Sequence, residues 1–271
     1  MIDISNIDWI EYLQANSFQI PFLTKQEIYV HPNINAKSAI VYDINKDKIL
    51  FSKKEDLKLP IASLTKLMTA LIISEENLDY EIFTVTKNSS NIVGSKMNLK
   101  AGDQVSVKDL LHGLLINSGN DAAYTLAEGN AGNVKNFIEK MNKRAKSLDM
   151  KNTNFTNPAG LDLKENYSTS LDLLKLSKQL LKHKKLLEIS SKEKYDAKNF
   201  QKNKIYKLKN TNSELNNFLK IKGLKTGKTP NAKECFIGVT ESKNPQLSIV
   251  IGSNNRFLDT KTLLYIYNNQ K

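Results

Sequence analysis

Apolar positions fall into a few clear patterns along the chain. Ser38–Ile44 and Lys48–Ser52 are β-rich runs joined by the polar turn Asn45-Lys46-Asp47, which predicts two neighbouring strands. Leu64, Leu67, Met68, Leu71 and Ile72 then recur at i, i+3, i+4, i+7 and i+8. That spacing is one apolar stripe of a buried helix, entered after Pro60 and fading near Glu75-Glu76-Asn77. From about residue 80 to 200 the pattern is mainly helical. Leu110, Leu111, Leu114 and Leu115 mark one helix that breaks at Asn117-Ser118-Gly119-Asn120. Asp121–Glu128 restarts a helix, Val134–Leu148 forms another, and Leu171–Ile189 reads as a single lysine-studded amphipathic helix. Its charge run suits a solvated face. Asn157-Pro158-Ala159-Gly160 is a turn cluster. Strand character returns after 220, at Cys235–Thr240 and Leu247–Ile251, and Phe257–Tyr267 closes the chain as a helix. Strands at both ends with helices between predict an α/β sandwich: an antiparallel sheet built from both chain ends, flanked by helices, with a mainly helical inserted lobe over about 75–200.

Residues 1–35 do not join this pattern. Trp9, Ile10 and Leu13 suggest one or two amphipathic turns, and Pro21 and Pro32 bracket an irregular stretch. They are expected to be an N-terminal extension or linker, with 36–271 forming the folded domain. Asp3, Asp8 and Glu11 stand where an export signal would carry basic and apolar residues, so no signal peptide is expected in this chain.

Composition sharpens the picture in two ways. The 271 residues, 40% hydrophobic, suffice for a sizeable core, and the single cysteine, Cys235, cannot form an internal disulfide. The formal net charge is +12, from 40 Lys+Arg against 28 Asp+Glu. Only Arg144 and Arg256 are arginines. Such a balance suits a membrane or an anionic wall surface. It equally fits a lysine- and asparagine-rich composition with no partner behind it. Nucleic acid is not an expected partner, because no aromatic-interleaved basic stripe is present.

Candidate chemistry starts at Ser63 and Lys66. Three residues apart on a helix, both side chains leave the same side of its first turn. A serine there, beside an amine that can take its proton, can become a nucleophile. An N-cap serine followed by a surface lysine would look the same in isolation. Two later motifs change the balance: Ser118-Gly119-Asn120 and Lys225-Thr226-Gly227. Together the three form the set of penicillin-binding proteins and serine β-lactamases.

The chain resembles the low-molecular-mass penicillin-binding proteins that are D-alanyl-D-alanine carboxypeptidases. The resemblance runs from about Ala36 to Tyr267 and includes the stretches 59–70, 114–123, 157–162 and 223–227. It implies a β-lactamase/transpeptidase-like fold and a serine peptidase without cofactor or metal. Ser63 would attack the carbonyl between two D-alanines of a peptidoglycan stem peptide and form an acyl-enzyme, which β-lactam antibiotics would mimic. Lys66 would act as base, its pKa depressed by burial and by Lys225, and Ser118 would relay a proton to the leaving amine. Asn120, Lys225, Thr226, Gly227 and Lys228 would bind substrate. The backbone N–H groups of Ser63 and Lys228 would form the oxyanion hole, and Gly227 would leave room for the peptide beside the strand. Arg256, unexpected in so lysine-rich a chain, would join Thr226 in gripping the terminal carboxylate. The resemblance also implies action outside the cytoplasm. Lys228 departs from the histidine or aromatic residue more usual in the family, and no counterpart of the family's C-terminal β-domain and membrane helix is expected in these 271 residues.

Other readings are weaker. A D,D-endopeptidase acting on cross-linked peptides would use the same residues. A glutamate-dependent β-lactamase would need a carboxylate where Asn212 opens Asn212-Ser213-Glu214-Leu215-Asn216, and a residue other than Gly119 in its second motif. A Ser-His-Asp hydrolase lacks a Gly-x-Ser-x-Gly elbow, and His31, His112, His183 and Cys235 have no metal-ligand spacing. A catalytically silent wall-binding module is opposed by the intact Ser63, Lys66, Ser118 and Lys225.

Overall fold

The computed structural model describes residues 32–213 and 220–269. The expected turns around Trp9, Ile10 and Leu13 lie outside the described residues.

The two expected N-terminal strands are β1 (Ser38–Asp43) and β2 (Lys48–Lys53). After two pairs of short strands (β3 to β6, below), the chain forms β7 (Ile221–Thr229), β8 (Lys233–Thr240) and β9 (Gln246–Ser253). These five strands make one sheet in the order β2-β1-β9-β8-β7, every neighbouring pair antiparallel. Both chain ends thus meet at the β1–β9 pair, with Ala39 opposite Val250 and Val41 opposite Ser248. β1 and β9 are buried along their whole lengths. Covering both faces explains their continuous apolar runs, where a half-exposed strand would alternate. Ala39, Val41, Phe236 and Val250 face one side with Leu263 and Leu264 of the C-terminal helix α8 (Arg256–Asn269). Ile40, Tyr42, Ile237, Leu247 and Ile249 face the other, where the remaining helices pack. The expected sheet and its composition from both termini are as the sequence indicated.

The helix expected after Pro60 begins differently. Ala62–Thr65 is a 3-10 turn, and the α-helix proper, α1, runs Lys66–Glu76. Every residue of α1 from Lys66 to Ile73 is buried. The apolar stripe therefore widens to the full circumference, as expected of a helix at the centre of a core. Each fully buried Leu or Ile there contributes about 1.5–3 kcal/mol relative to exposure.

The inserted lobe carries α2 (Lys87–Asn91), α3 (Val107–Leu115), α4 (Asn120–Ala131) and α5 (Val134–Ser147). Two expectations need correction here. The lysine-rich stretch is two helices, α6 (Ser170–Leu180) and α7 (Lys184–Ser191). Lys182 N–H to Gln179 O and His183 N–H to Leu180 O are i→i−3 bonds that tighten the chain into a turn between them. The region 80–200 also holds two small sheets. β3 (Ile82–Thr84) pairs with β4 (Gln104–Ser106). The hairpin β5 (Lys194–Lys198) and β6 (Ile205–Lys209) turns Tyr206 and Leu208 into the core while its lysines stay exposed. The three-residue strands β3 and β4 are too short to show a period, so the sequence pattern missed them. Among the described residues no helix is long and apolar enough to cross a membrane.

Candidate active site

The turn that carries Ser63 is held from two sides. Ala62 adopts φ +46°, a left-handed conformation uncommon for a residue with a side chain. Gly160, at φ +83°, presses on it so closely that a Cβ there would sit 1.8 Å from Ala62 O. On the other side a Cβ on Gly227 would lie 3.1 Å from Ser63 N and from Ala62 Cβ. Gly227 thus lets the edge of β7 approach the Ser63 backbone, a closer reason for glycine than room for a peptide. Ser63 lies in the 3-10 turn, two residues ahead of the α-helical cap Thr65, and no side chain caps that turn. Side chains at i and i+3 eclipse in 3-10 geometry. Lys66 Nζ accordingly stands 2.8 Å from Ser63 Oγ.

Lys66 is fully buried. Its amine also lies 2.7 Å from Asn120 Oδ1 and 2.7 Å from Ala159 O. Burial, and secondarily the charge of Lys225, hold its pKa well below that of a free lysine, against an opposing pull from Asp121. A neutral amine has two N–H donors and one lone pair. Asn120 Oδ1 and Ala159 O can only accept. With both protons spent on them, the lone pair is left for Ser63 O–H. The geometry thus directs the serine proton onto Lys66.

Two structural elements fix those acceptors. Asn120 opens α4, and its Nδ2 donates to Val93 O at 2.6 Å. Asp121 accepts from the N–H groups of Met97 and Leu99 at 2.8 and 3.0 Å, locking the 93–99 segment against the start of α4. The other acceptor depends on Asn157, whose Oδ1 receives the N–H groups of Ala159, Gly160 and Leu161 at 3.1, 2.7 and 2.9 Å. Thr69 Oγ1 donates to Pro158 O at 2.8 Å. The far end of that loop is tied to β7, because Asp162 accepts from Thr229 Oγ1 at 2.7 Å and from Asn231 N–H at 3.0 Å. From the sequence, 157–160 is a turn cluster with no chemical role attached. The signal was the Asn-Pro-Ala-Gly run, but a backbone carbonyl aimed at Lys66 has no side-chain signature.

Ser118 sits at the loop between α3 and α4, nearly buried, with φ +58°. None of the three contacts of Lys66 is with Ser118. Asn120, expected to hold substrate, has its amide engaged with Lys66 and Val93. Lys225 is buried in β7, and its Nζ donates to Thr226 O at 3.0 Å. Burial first, and the Arg256 charge second, bring its pKa down to about 7. Thr226 Oγ1 shares a 2.5 Å hydrogen bond with Thr211 Oγ1, a partner not foreseen. Arg256 donates from Nη1 to Gly227 O at 3.0 Å and lies over the Phe257 ring. It therefore reaches the same strand edge as Thr226, through the backbone. Lys228 points outward, and its Nζ donates to Glu234 Oε1 at 2.9 Å.

The histidine and cysteine alternatives are dispersed among the described residues. His112 stacks on Tyr195 within the lobe, and burial lowers its pKa to about 4. His183 precedes α7, and Cys235 is buried in β8. Asn212 donates to Ile221 O at 3.2 Å, a structural contact at the start of β7.

A sequence profile of the D-alanyl-D-alanine carboxypeptidases matches residues 25–255, starting inside the stretch expected to be an extension. The chain is 34% identical over 227 residues to the D-alanyl-D-alanine carboxypeptidase DacF of Bacillus subtilis, covering 81% of this chain and 58% of that protein. It therefore spans little more than half the length of this relative. A D-alanyl-D-alanine endopeptidase of Escherichia coli is 34% identical over 244 residues, 86% of this chain and 77% of that protein. Among solved structures, the ampicillin-bound form of penicillin-binding protein D2 from Listeria monocytogenes superposes with a TM-score of 0.77 at 33% identity, over 87% of this chain and 98% of that one.

Proposed function

The chain belongs to the D-alanyl-D-alanine carboxypeptidase family, and on that premise we propose that it removes the terminal D-alanine from peptidoglycan stem peptides. The observation that carries this reading is the Lys66 amine, 2.8 Å from Ser63 Oγ with its other contacts restricted to acceptors. Ser63 Oγ attacks the carbonyl carbon between the two D-alanines, and its proton passes to Lys66. The C–N bond breaks and the departing D-alanine amine takes that proton, with Ser118, in the loop between α3 and α4, as the proposed relay. Water then hydrolyses the ester and frees Ser63. The backbone N–H groups of Ser63 and Lys228 receive the oxyanion. Gly227's close approach to Ser63 N supports that pairing. Arg256 and Thr226 hold the free carboxylate. Such a substrate places the enzyme's action at the cell wall, outside the cytoplasm.

Penicillin, which imitates the D-Ala-D-Ala end, should leave a slowly hydrolysed ester on Ser63. Intact mass followed by peptide mapping checks this, and an adduct on another residue, or none, overturns the reading. Lys66→Arg keeps a cation but supplies no neutral amine. Its acylation rate should fall by about three powers of ten or more, within the range of general-base contributions.

A further inference from the structure

A second cleft, of about 450 Å³, lies in the inserted lobe and shares no residue with the Ser63 site. One wall is the segment entering β3, where Tyr80 is 75% exposed, and the other is the tip of the β5–β6 hairpin, where Phe200 is 61% exposed. Between them lie Tyr195, Asp109, Asp196 and Asn199. The walls are fixed to each other. Phe200 N–H donates to Gln104 O at 2.6 Å, and Val105 bridges to Asn199 across the two sheets. Asn199 stiffens the tip by donating to Gln201 and Asn203 and accepting from Lys204 N–H. Asp109 is held by Ser106 Oγ at 2.7 Å.

We propose that this cleft binds the glycan of the substrate polymer, as an oligosaccharide of N-acetylated amino sugars. Isolated exposed aromatics are ordinary, but two flanking one rigid cleft with carboxylate and amide groups between them are not. Flat rings cover the C–H face of a pyranose, while carboxylates and amides meet its hydroxyl and acetamido groups. The volume is within the roughly 300–1,000 Å³ of ligand clefts. A lipid surface fits less well, because the concavity mixes Asp109 and Asp196 with Lys198 and Lys202 and so presents no uniformly basic face. The inference rests on the carboxypeptidase reading, and the spacing supports it. Asp109 is in the first turn of α3, and the helix leads to the Ser118 loop about 10–15 Å away at ~1.5 Å per residue. From the hairpin tip, β6 leads to Thr211 and hence to Thr226, about 15–20 Å at ~3.3 Å per residue. An extended stem peptide of about five residues spans at most ~17 Å. A glycan seated in the cleft would therefore bring its peptide within reach of the Ser118 loop and the β7 strand that flank Ser63.

The test uses the full chain and a Tyr80→Ala/Phe200→Ala double variant, with peptide-free glycan strands as the probe. The wild type should bind the strands and the double variant at least ten times more weakly. The kcat/KM for glycan-linked stem peptide should fall by a similar factor, while that for the free peptide and the acylation of Ser63 by penicillin stay unchanged. Failure of the wild type to bind stripped glycan, equal binding by both proteins, or an equal loss on free and linked peptide would each overturn the proposal. So would a double variant that loses anionic vesicles and keeps the glycan. Absence of penicillin acylation in the wild type would count against the carboxypeptidase reading instead, and the glycan measurement would still judge the cleft.

Discussion

Lys66 has three features that would make a common side chain a base: full burial, a neighbouring cation and two acceptor oxygens that leave its lone pair for Ser63. The second acceptor, Ala159 O, is held by Asn157, which on the proposed mechanism would act through that carbonyl as a positioning residue. Asn157→Ala should remove the acceptor for three N–H groups, costing about 1–3 kcal/mol of stability for the buried groups left unpaired. Penicillin acylation should drop by about one to two powers of ten, the factor expected from about 1.5–3 kcal/mol. Asn157→Asp keeps the accepting oxygen and should recover most of the acylation rate. Equal defects in both variants, measured by acylation kinetics and thermal melts, would remove Asn157 from this role. The pH dependence has a definite sign. Burial and the Lys225 charge favour the neutral form of Lys66, so acylation should fall as pH drops and the amine is protonated. Lys225→Gln removes that charge. The Lys66 pKa should then rise, and the acid limb of the acylation profile should move to higher pH, whatever happens to the plateau. Lys225 itself, depressed to about 7 in the fold, binds fewer protons there than in the unfolded chain between about pH 7 and its ordinary value near 10.5. Its contribution therefore makes stability rise with pH across that window and level off below about pH 7, where both states carry the proton.

At the level of elements, the site is where a 3-10 turn, an interhelical loop, a sheet edge and the 157–162 loop converge on one backbone. The contact between Gly160 and Ala62 is the tightest of these. Gly160→Ala would place a Cβ against a carbonyl oxygen at a positive φ, so both space and conformation oppose it. A loss of about 1–3 kcal/mol is expected from strain of this kind. At roughly 2–4 °C per kcal/mol for a chain of this size class, the melting temperature should fall by about 2–12 °C. An unchanged melting temperature would show that the loop yields freely. Much of this architecture was legible beforehand. The β1, β8 and β9 runs and the α1 periodicity are long and apolar, so their burial was written in residue type. Ser63, Lys66, Ser118, Asn120 and Lys225 were visible as motifs at helix and strand boundaries. The α6–α7 break was not legible, because Leu173, Leu176, Leu180, Leu186 and Ile189 remain buried on both sides of it. Nor was Ala159, whose contribution is a carbonyl, or Thr211, whose partner is distant in sequence. Arg256 was read from its scarcity. The structure puts it at the expected strand, bonded to Gly227 O through a backbone contact that composition cannot foretell.

For the whole molecule, the net charge of +12 acts at longer range than any of these contacts. Lys194, Lys198, Lys207 and Lys209 are exposed on the β5–β6 hairpin, and Lys194 stands directly opposite Lys209. Like charges paired across two strands repel, and an anionic partner would relieve that repulsion. Long-range attraction to anionic wall polymer or phospholipid should concentrate the enzyme near its substrate and should fade as salt shortens the screening length. The length is about 10 Å at 0.1 M and about 3 Å at 1 M, so adsorption to purified anionic wall material should weaken by at least about tenfold between those salt concentrations. The fully buried Lys66 amine lies out of reach of that screening, and turnover of saturating short peptide should stay within about twofold. Co-sedimentation and peptide kinetics across the same salt series separate the two effects. Salt-independent adsorption would leave the lysines as a compositional feature. A parallel loss of turnover would show that screening reaches the catalytic amine.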